Sequence, residues 1–228
     1  MKNAAQILLQ RARGTISRLS GEDRGVAAVE FALILPLMLT IYLGTSEISL
    51  AVIASRDVEL VARAVADLVS QQPSGTYLDD TQMTPIWSAA NAIMSPYPTT
   101  TLKMTVTSIK FVTGGVTADA NGGSSKYDAK VQWSILGPNG GALRPCNTTL
   151  TPVANGSGYA ATAVPVGLYV ATTLIVSDVA YQYTPTFGNA LFTGLPSALN
   201  MNSTIFMKPR SSDVAYTGTA GTKCNPAP

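Results

Sequence analysis

Histidine is absent from all 228 residues. That absence removes Ser-His-Asp and Cys-His nucleophile arrangements and the commonest zinc and iron ligand sets. Cysteine is almost absent too: Cys146 and Cys224 alone cannot build a thiolate cluster for a metal. Charged residues make up 12% of the chain, about half the roughly 25% of an ordinary soluble domain. With 46% hydrophobic residues, disorder is excluded, because disordered chains are polar and charged. A net charge of +2 without a dense basic stripe argues against nucleic acid as a partner. Neither GxxxxGK[ST] nor GxGxxG occurs, so the usual nucleotide loops are missing. Composition does not forbid a catalytic carboxylate pair, but no local cluster recommends one. The expectation is a protein that is not an enzyme and that uses no cofactor and no metal.

What charge there is lies unevenly. Residues 1–25 carry Lys2, Arg11, Arg13, Arg18 and Arg24 against Glu22 and Asp23, a net +3, while the remainder holds ten basic and eleven acidic residues. The basic end abuts the most apolar stretch, VAAVEFALILPLMLTIYLGT from Val26 to Thr45, twenty residues with Glu30 as their one charge. A helix of that length spans about 30 Å, the thickness of a bilayer core. The charge asymmetry predicts the leader inside and the remainder outside. Glu30 costs roughly 2.5–3.5 kcal/mol at mid-bilayer, and Pro36 removes one backbone hydrogen bond. Beyond the span, Ile53, Leu60, Val61, Ala64, Val65 and Leu68 recur at helical spacing. Glu59 and Arg63 form an i,i+4 pair. Gln71-Gln72-Pro73-Ser74-Gly75 ends the pattern. One helix is therefore expected over 26–70, with 26–45 in the membrane.

After it the composition turns to Thr, Ser, Gly, Asn and Pro. Thr84-Pro85 reads as an N-cap and N1 pair opening a short helix through Met94. Asp79-Asp80 reads as a solvated loop, and Trp87 and Trp133 as core aromatics. Leu102, Met104 and Val106 alternate with polar residues, as do Ala129, Val131, Trp133 and Ile135. Thr172–Tyr183 is rich in β-branched and aromatic residues. Asn121-Gly122, Asn139-Gly140 and Asn155-Gly156 supply turn signals. The fold class is α+β: a long N-terminal helix, then a head over 71–228 built on a small antiparallel sheet with long loops.

The most informative string is Arg24-Gly25-Val26-Ala27-Ala28-Val29-Glu30-Phe31. A charged leader ends in glycine, and an apolar helix with a glutamate at its fifth residue follows at once. This resembles the cleavage site of type IV prepilins. Glycine lets the backbone enter a protease cleft extended. Glutamate near a helix start favours the positive end of its dipole. The wider string is similar to the signature of the TadE/TadG-like minor pseudopilins of the Tad (tight adherence) pilus system. The matching residues are Gly25, Ala28, Val29, Glu30, Phe31, Ala32, Leu33, Leu35 and Pro36, with Glu47 as a second acid. Residues 175–185 resemble that family's late strand, and Met207-Lys208-Pro209-Arg210 its closing basic motif. Two positions depart: Ile-Ser-Leu follows Glu47 where an aromatic-Gly-Arg run is common, and the acid before Val179 is Asp178.

The resemblance implies a cytoplasmic leader over 1–25, cut by a prepilin peptidase between Gly25 and Val26. It also implies assembly through Glu30, Phe31, Pro36 and Glu47. The partners it implies are that peptidase, other Tad pilins and pseudopilins with their inner-membrane assembly platform, and the inner membrane itself. It places a single-pass protein in the bacterial inner membrane, its head in the periplasm, or at the cell surface when incorporated into an adhesive pilus. Major Flp pilins are much shorter, which points to a minor subunit. Cys146 and Cys224 lie beyond the span. On a periplasmic side a disulfide forms and persists, and its loop of about 78 residues contributes roughly 4 kcal/mol. Two other readings stand beside this one: an uncleaved single-pass protein whose head binds a ligand or envelope partner, and a membrane-tethered hydrolase, weakened by the missing histidine.

Overall fold

In a computed structural model of the chain, the described residues are 23–73, 77–118, 124–146, 148–154, 160–169, 172–187, 197–211 and 213–224. Most of the expected leader, and the Asn121-Gly122 and Asn155-Gly156 turns, lie outside them. The chain divides into two units, one of Met1–Ser49 with Thr186–Leu195, the other of Leu50–Pro185 with Pro196–Pro228. The division falls inside helix α1, Asp23–Ser70. The helix begins three residues before the expected start and ends where the sequence places its end.

In the second unit α1 packs through Ala54, Val58, Val61, Ala62, Val65, Ala66 and Val69, all essentially fully buried. The apolar stripe read from the sequence needs correction here. Val61 and Val65 lie in the seam, but Ile53, Leu60 and Leu68 remain 48%, 53% and 38% exposed. Small side chains line the buried side because the facing sheet supplies the bulk, so helix and sheet approach closely. The last turn ends under the chain after the sheet: the Arg210 N–H donates to the Ser70 carbonyl at 3.0 Å. The closing basic motif thus caps α1 with its backbone.

Helix α2 covers Asp80–Ile93, after the two-residue strand β1 (Tyr77–Leu78). Its start corrects two expectations. The N-cap is Asp79, not Thr84: Asp79 is extended and its Oδ1 accepts the Gln82 N–H at 2.8 Å. Pro85 lies inside the helix rather than at its first position. Asp79-Asp80 is therefore a helix start rather than a solvated loop, because an aspartate accepts from the unpaired amides of a first turn better than a threonine farther in. Met83, Ile86, Trp87 and Ala90 face the core.

The main sheet runs β5-β4-β3-β2-β6-β7, with β9 (Thr222–Lys223) added on β3. The strands are β2 Lys103–Ala118, β3 Ser124–Leu136, β4 Thr149–Val153, β5 Ala163–Pro165, β6 Thr173–Tyr183 and β7 Leu199–Met207. The pairs among β3, β2, β6 and β7 are antiparallel, as expected, but β4 pairs β5 in parallel, and β1 pairs β8 (Ala215–Tyr216) in parallel. The sheet is mixed, not purely antiparallel. The expected turn at Asn139-Gly140 is present, with Gly140 at φ +80° and its N–H on the Gly137 carbonyl at 3.0 Å.

A bulge organises the two faces. Directly opposed residues of an antiparallel pair share a face. Ser108 opposes Trp133 but Ile109 opposes Val131, which leaves Gln132 as the extra residue. The apolar positions of β3, odd-numbered throughout, therefore change sides there. Trp133 and Ile135 join Met104, Val106, Ile175 and Val179 in the core under α1 and α2. Ala129 and Val131 join Ile109, Phe111, Leu150, Leu174 and Val176 in a second core on the opposite face. A disulfide between Cys146 and Cys224, Cα–Cα 5.3 Å, borders the second core. The chain leading to it passes Gly221, at φ +131°, where a Cβ would lie 2.4 Å from the Ser134 carbonyl oxygen, so only glycine fits.

Candidate membrane and assembly segment

In the first unit, α1 exposes nearly every large apolar side chain it carries. Leu33 is 75% and Phe31 65% exposed, and Val26, Leu37, Met38, Ile41 and Tyr42 are comparably bare. The helix is long enough to cross a bilayer, and its most apolar stretch has a mean hydropathy of 2.2 with none of it buried. Its hydroxyls turn inward onto the backbone. Thr40 donates to the Pro36 carbonyl at 2.8 Å, Ser46 to Tyr42 and Ser49 to Thr45 at 2.9 Å, and Thr45 to Ile41. Such i−4 bonding satisfies these four hydroxyls within the helix, which suits hydrocarbon surroundings. Pro36 sits inside the helix, with no N–H for the Ala32 carbonyl.

The sequence-predicted residues are distributed along this helix as follows. Gly25 and Val26 fall in its first turn, so the bond between them is helical rather than extended. Glu30, Phe31 and Pro36 follow on the exposed segment. Glu30 has no ion-pair partner among the described residues. Glu47 lies at the other end of the same unit, where its Oε1 accepts the Phe187 N–H at 2.8 Å. Glu47 is thus hydrogen-bonded to the backbone of Phe187 within the same unit. Glu59 and Arg63 pair on an exposed part of the helix.

In the second unit the structure assembles two polar clusters that the sequence reading missed. Arg144, its side chain fully buried, forks onto Asp178, Nε to Oδ2 at 2.8 Å and Nη2 to Oδ1 at 2.9 Å. Its Nη1 donates to the Ala161 and Ala163 carbonyls at 3.0 and 3.2 Å. Thr204 donates to Asp178 Oδ1 at 2.8 Å, and the guanidinium lies 5.9 Å from the Phe206 ring centre. At the start of α2, Asp80 accepts from the Tyr216 hydroxyl, from the Thr219 N–H and hydroxyl, and from the Ala220 N–H. These donors, the tyrosine first and Thr219 next, hold the Asp80 carboxyl well below the usual range. Burial, then the Asp80 contact, pushes the Tyr216 hydroxyl up. Among the described residues, no three acids, histidines or cysteines converge as metal ligands.

A helix of membrane length, exposed in its first half and packed on a sheet in its second, is consistent with a single-pass membrane protein of α+β class. Residues 25–67 match the family model described as TadE-like protein, so the N-terminal helix is TadE-like from the glycine to its last turn. That match associates the chain with the Tad pilus system. No curated protein and no solved structure matches the chain.

Proposed function

We propose that the chain is a minor pseudopilin that takes part in assembling a Tad/Flp-type adhesive pilus once a prepilin peptidase has removed its leader between Gly25 and Val26. The observation that carries this reading is Gly25. It opens the TadE-like match, yet a Cβ there would meet nothing within 4 Å. A glycine in a helix costs about 0.5–1 kcal/mol relative to alanine. Packing gives no reason to bear that cost, whereas a peptidase that needs an extended substrate does. Unwinding the first turn up to Gly25 breaks only a few hydrogen bonds of about 1 kcal/mol each.

Glu30 then acts in assembly. After cleavage the α-amino group of Val26, the subunit's own or a neighbour's, supplies a positive partner that no described residue gives Glu30, offsetting the burial of a carboxylate. Intact mass of the membrane-extracted protein, with and without active prepilin peptidase, tests the reading. A mature N-terminus at Val26 is expected; uncut protein beside an active peptidase refutes it. Gly25→Ala is expected to be cut slowly and a bulky residue there not at all. Glu30→Leu is expected to insert and to be cleaved normally while piliation fails.

A further inference from the structure

The second face of the main sheet is only partly covered. Gly141 lies against Thr105, where a Cβ would fall 2.3 Å from its Oγ1, and the buried Arg144 follows three residues on. One step farther along the strands the face opens into two adjoining depressions of about 400 and 460 Å³ that share Lys103, Ala180 and Asn202. Strand register explains their shape. Lys103 opposes Ala180, Ala180 opposes Asn202, and Gln182 opposes Asn200. A methyl group therefore forms the floor, and longer polar side chains stand around it. With strands about 4.8 Å apart and about 3.3 Å per residue, that surround measures about 10 by 13 Å.

The side chains of Lys103, Gln182, Asn200 and Asn202 are exposed and without partners among the described residues. Elsewhere in the head Asn139 donates to Thr99 and Leu102, and Gln132 to Asp213. Three primary amides, an ammonium group and the Asp178 carboxylate, its charge met by Arg144, both donate and accept hydrogen bonds. Hydroxyl groups do the same. A phosphate would face the Asp178 carboxylate, a nucleobase would find no aromatic platform, and an apolar peptide would leave the amides and the ammonium group without hydrogen-bond partners.

We propose that this trough is a saccharide-binding site. A pyranose ring lies with its apolar face on Ala180, and its hydroxyls bond to Asn202, Asn200, Gln182 and Lys103. The inference does not depend on the pilus reading, since it concerns the purified chain alone. The test is saturation-transfer NMR on the full chain in a detergent free of sugar headgroups, with glucose, N-acetylglucosamine and galacturonate as probes. Transfer to at least one probe is expected. It should fall at least about tenfold in Asn202→Ala/Gln182→Ala and in Ala180→Leu, while the thermal midpoint and the disulfide stay unchanged. Should one variant fail to fold, the other decides. Absence of transfer to all three probes, or transfer that survives in a folded variant, overturns the proposal.

Discussion

Replacing Asp178 with alanine isolates the largest electrostatic commitment in the head. The Arg144 side chain is fully buried and two of its nitrogens bond to Asp178, so the variant leaves a guanidinium out of water with only carbonyl partners for Nη1. Removing one member of a buried pair costs about 3–5 kcal/mol. For a chain of this size each kcal/mol moves the thermal midpoint by about 2–4 °C, so a fall of about 6–20 °C is expected. The assay is thermal unfolding of the full chain in detergent, followed by the β-sheet circular dichroism signal. Arg144→Met combined with Asp178→Ala removes the stranded charge, and that double variant should recover much of the loss. If Asp178→Ala shifts the midpoint by less than about 2 °C, or if the two substitutions are simply additive, the pair is not what holds residues 141–146 against the sheet.

Two further outcomes follow from the tail. Replacing Cys146 and Cys224 with serine opens a loop spanning a separation of 78 residues, and the head should lose about 4 kcal/mol, read as a lower denaturant midpoint than the oxidised chain shows. Asp80, whose carboxyl is held low by Tyr216 and Thr219, should contribute stability in full above its unfolded value of about 3.9 and lose it as pH falls through the lower folded value. Thermal midpoints of wild type and Asp80→Asn should therefore differ at pH 6 and converge as the solution is acidified well below pH 4. A gap independent of pH would show that the carboxylate charge is not what matters.

The parts of the molecule legible in the sequence are those set by local periodicity. The long helix, the β2, β3 and β6 strands, the Asn139-Gly140 turn and the burial of Trp87 and Trp133 each follow from residues close together in the chain. The failures share a different origin. The α1 stripe departs from the hydropathy pattern because hydropathy favours large residues, whereas the seam combines Val58, Val61, Val65 and Val69 with Ala54, Ala62 and Ala66, small enough for a close approach to the sheet. The second core could not be foreseen because β3 keeps one alternation throughout, and only the unpaired Gln132 moves it to the other face. Asp80 looked solvated because its donors, Tyr216 and Thr219, lie more than 130 residues away.

The same distinction separates the two kinds of charge in this chain. Glu30 is conspicuous in sequence because it interrupts an apolar run, and the structure leaves it without a partner among the described residues. Arg144 is inconspicuous because Gly, Ala, Leu and Pro precede and follow it in the chain, yet each of its guanidinium nitrogens has a partner. A buried charge persists only when paired and hydrogen-bonded, and the pairing of Arg144 is satisfied within the fold, so it needs nothing from outside. Glu30 meets the opposite condition. An apolar helix tolerates its carboxylate only near the headgroups, protonated, or beside a cation that none of the described residues brings to it. An unmet electrostatic requirement in the membrane segment, next to a glycine that packing does not require, gives the N-terminal end of α1 its functional weight. The head pairs its buried charge, Arg144, within the fold, and it leaves the amides and the lysine around Ala180 exposed and without partners among the described residues.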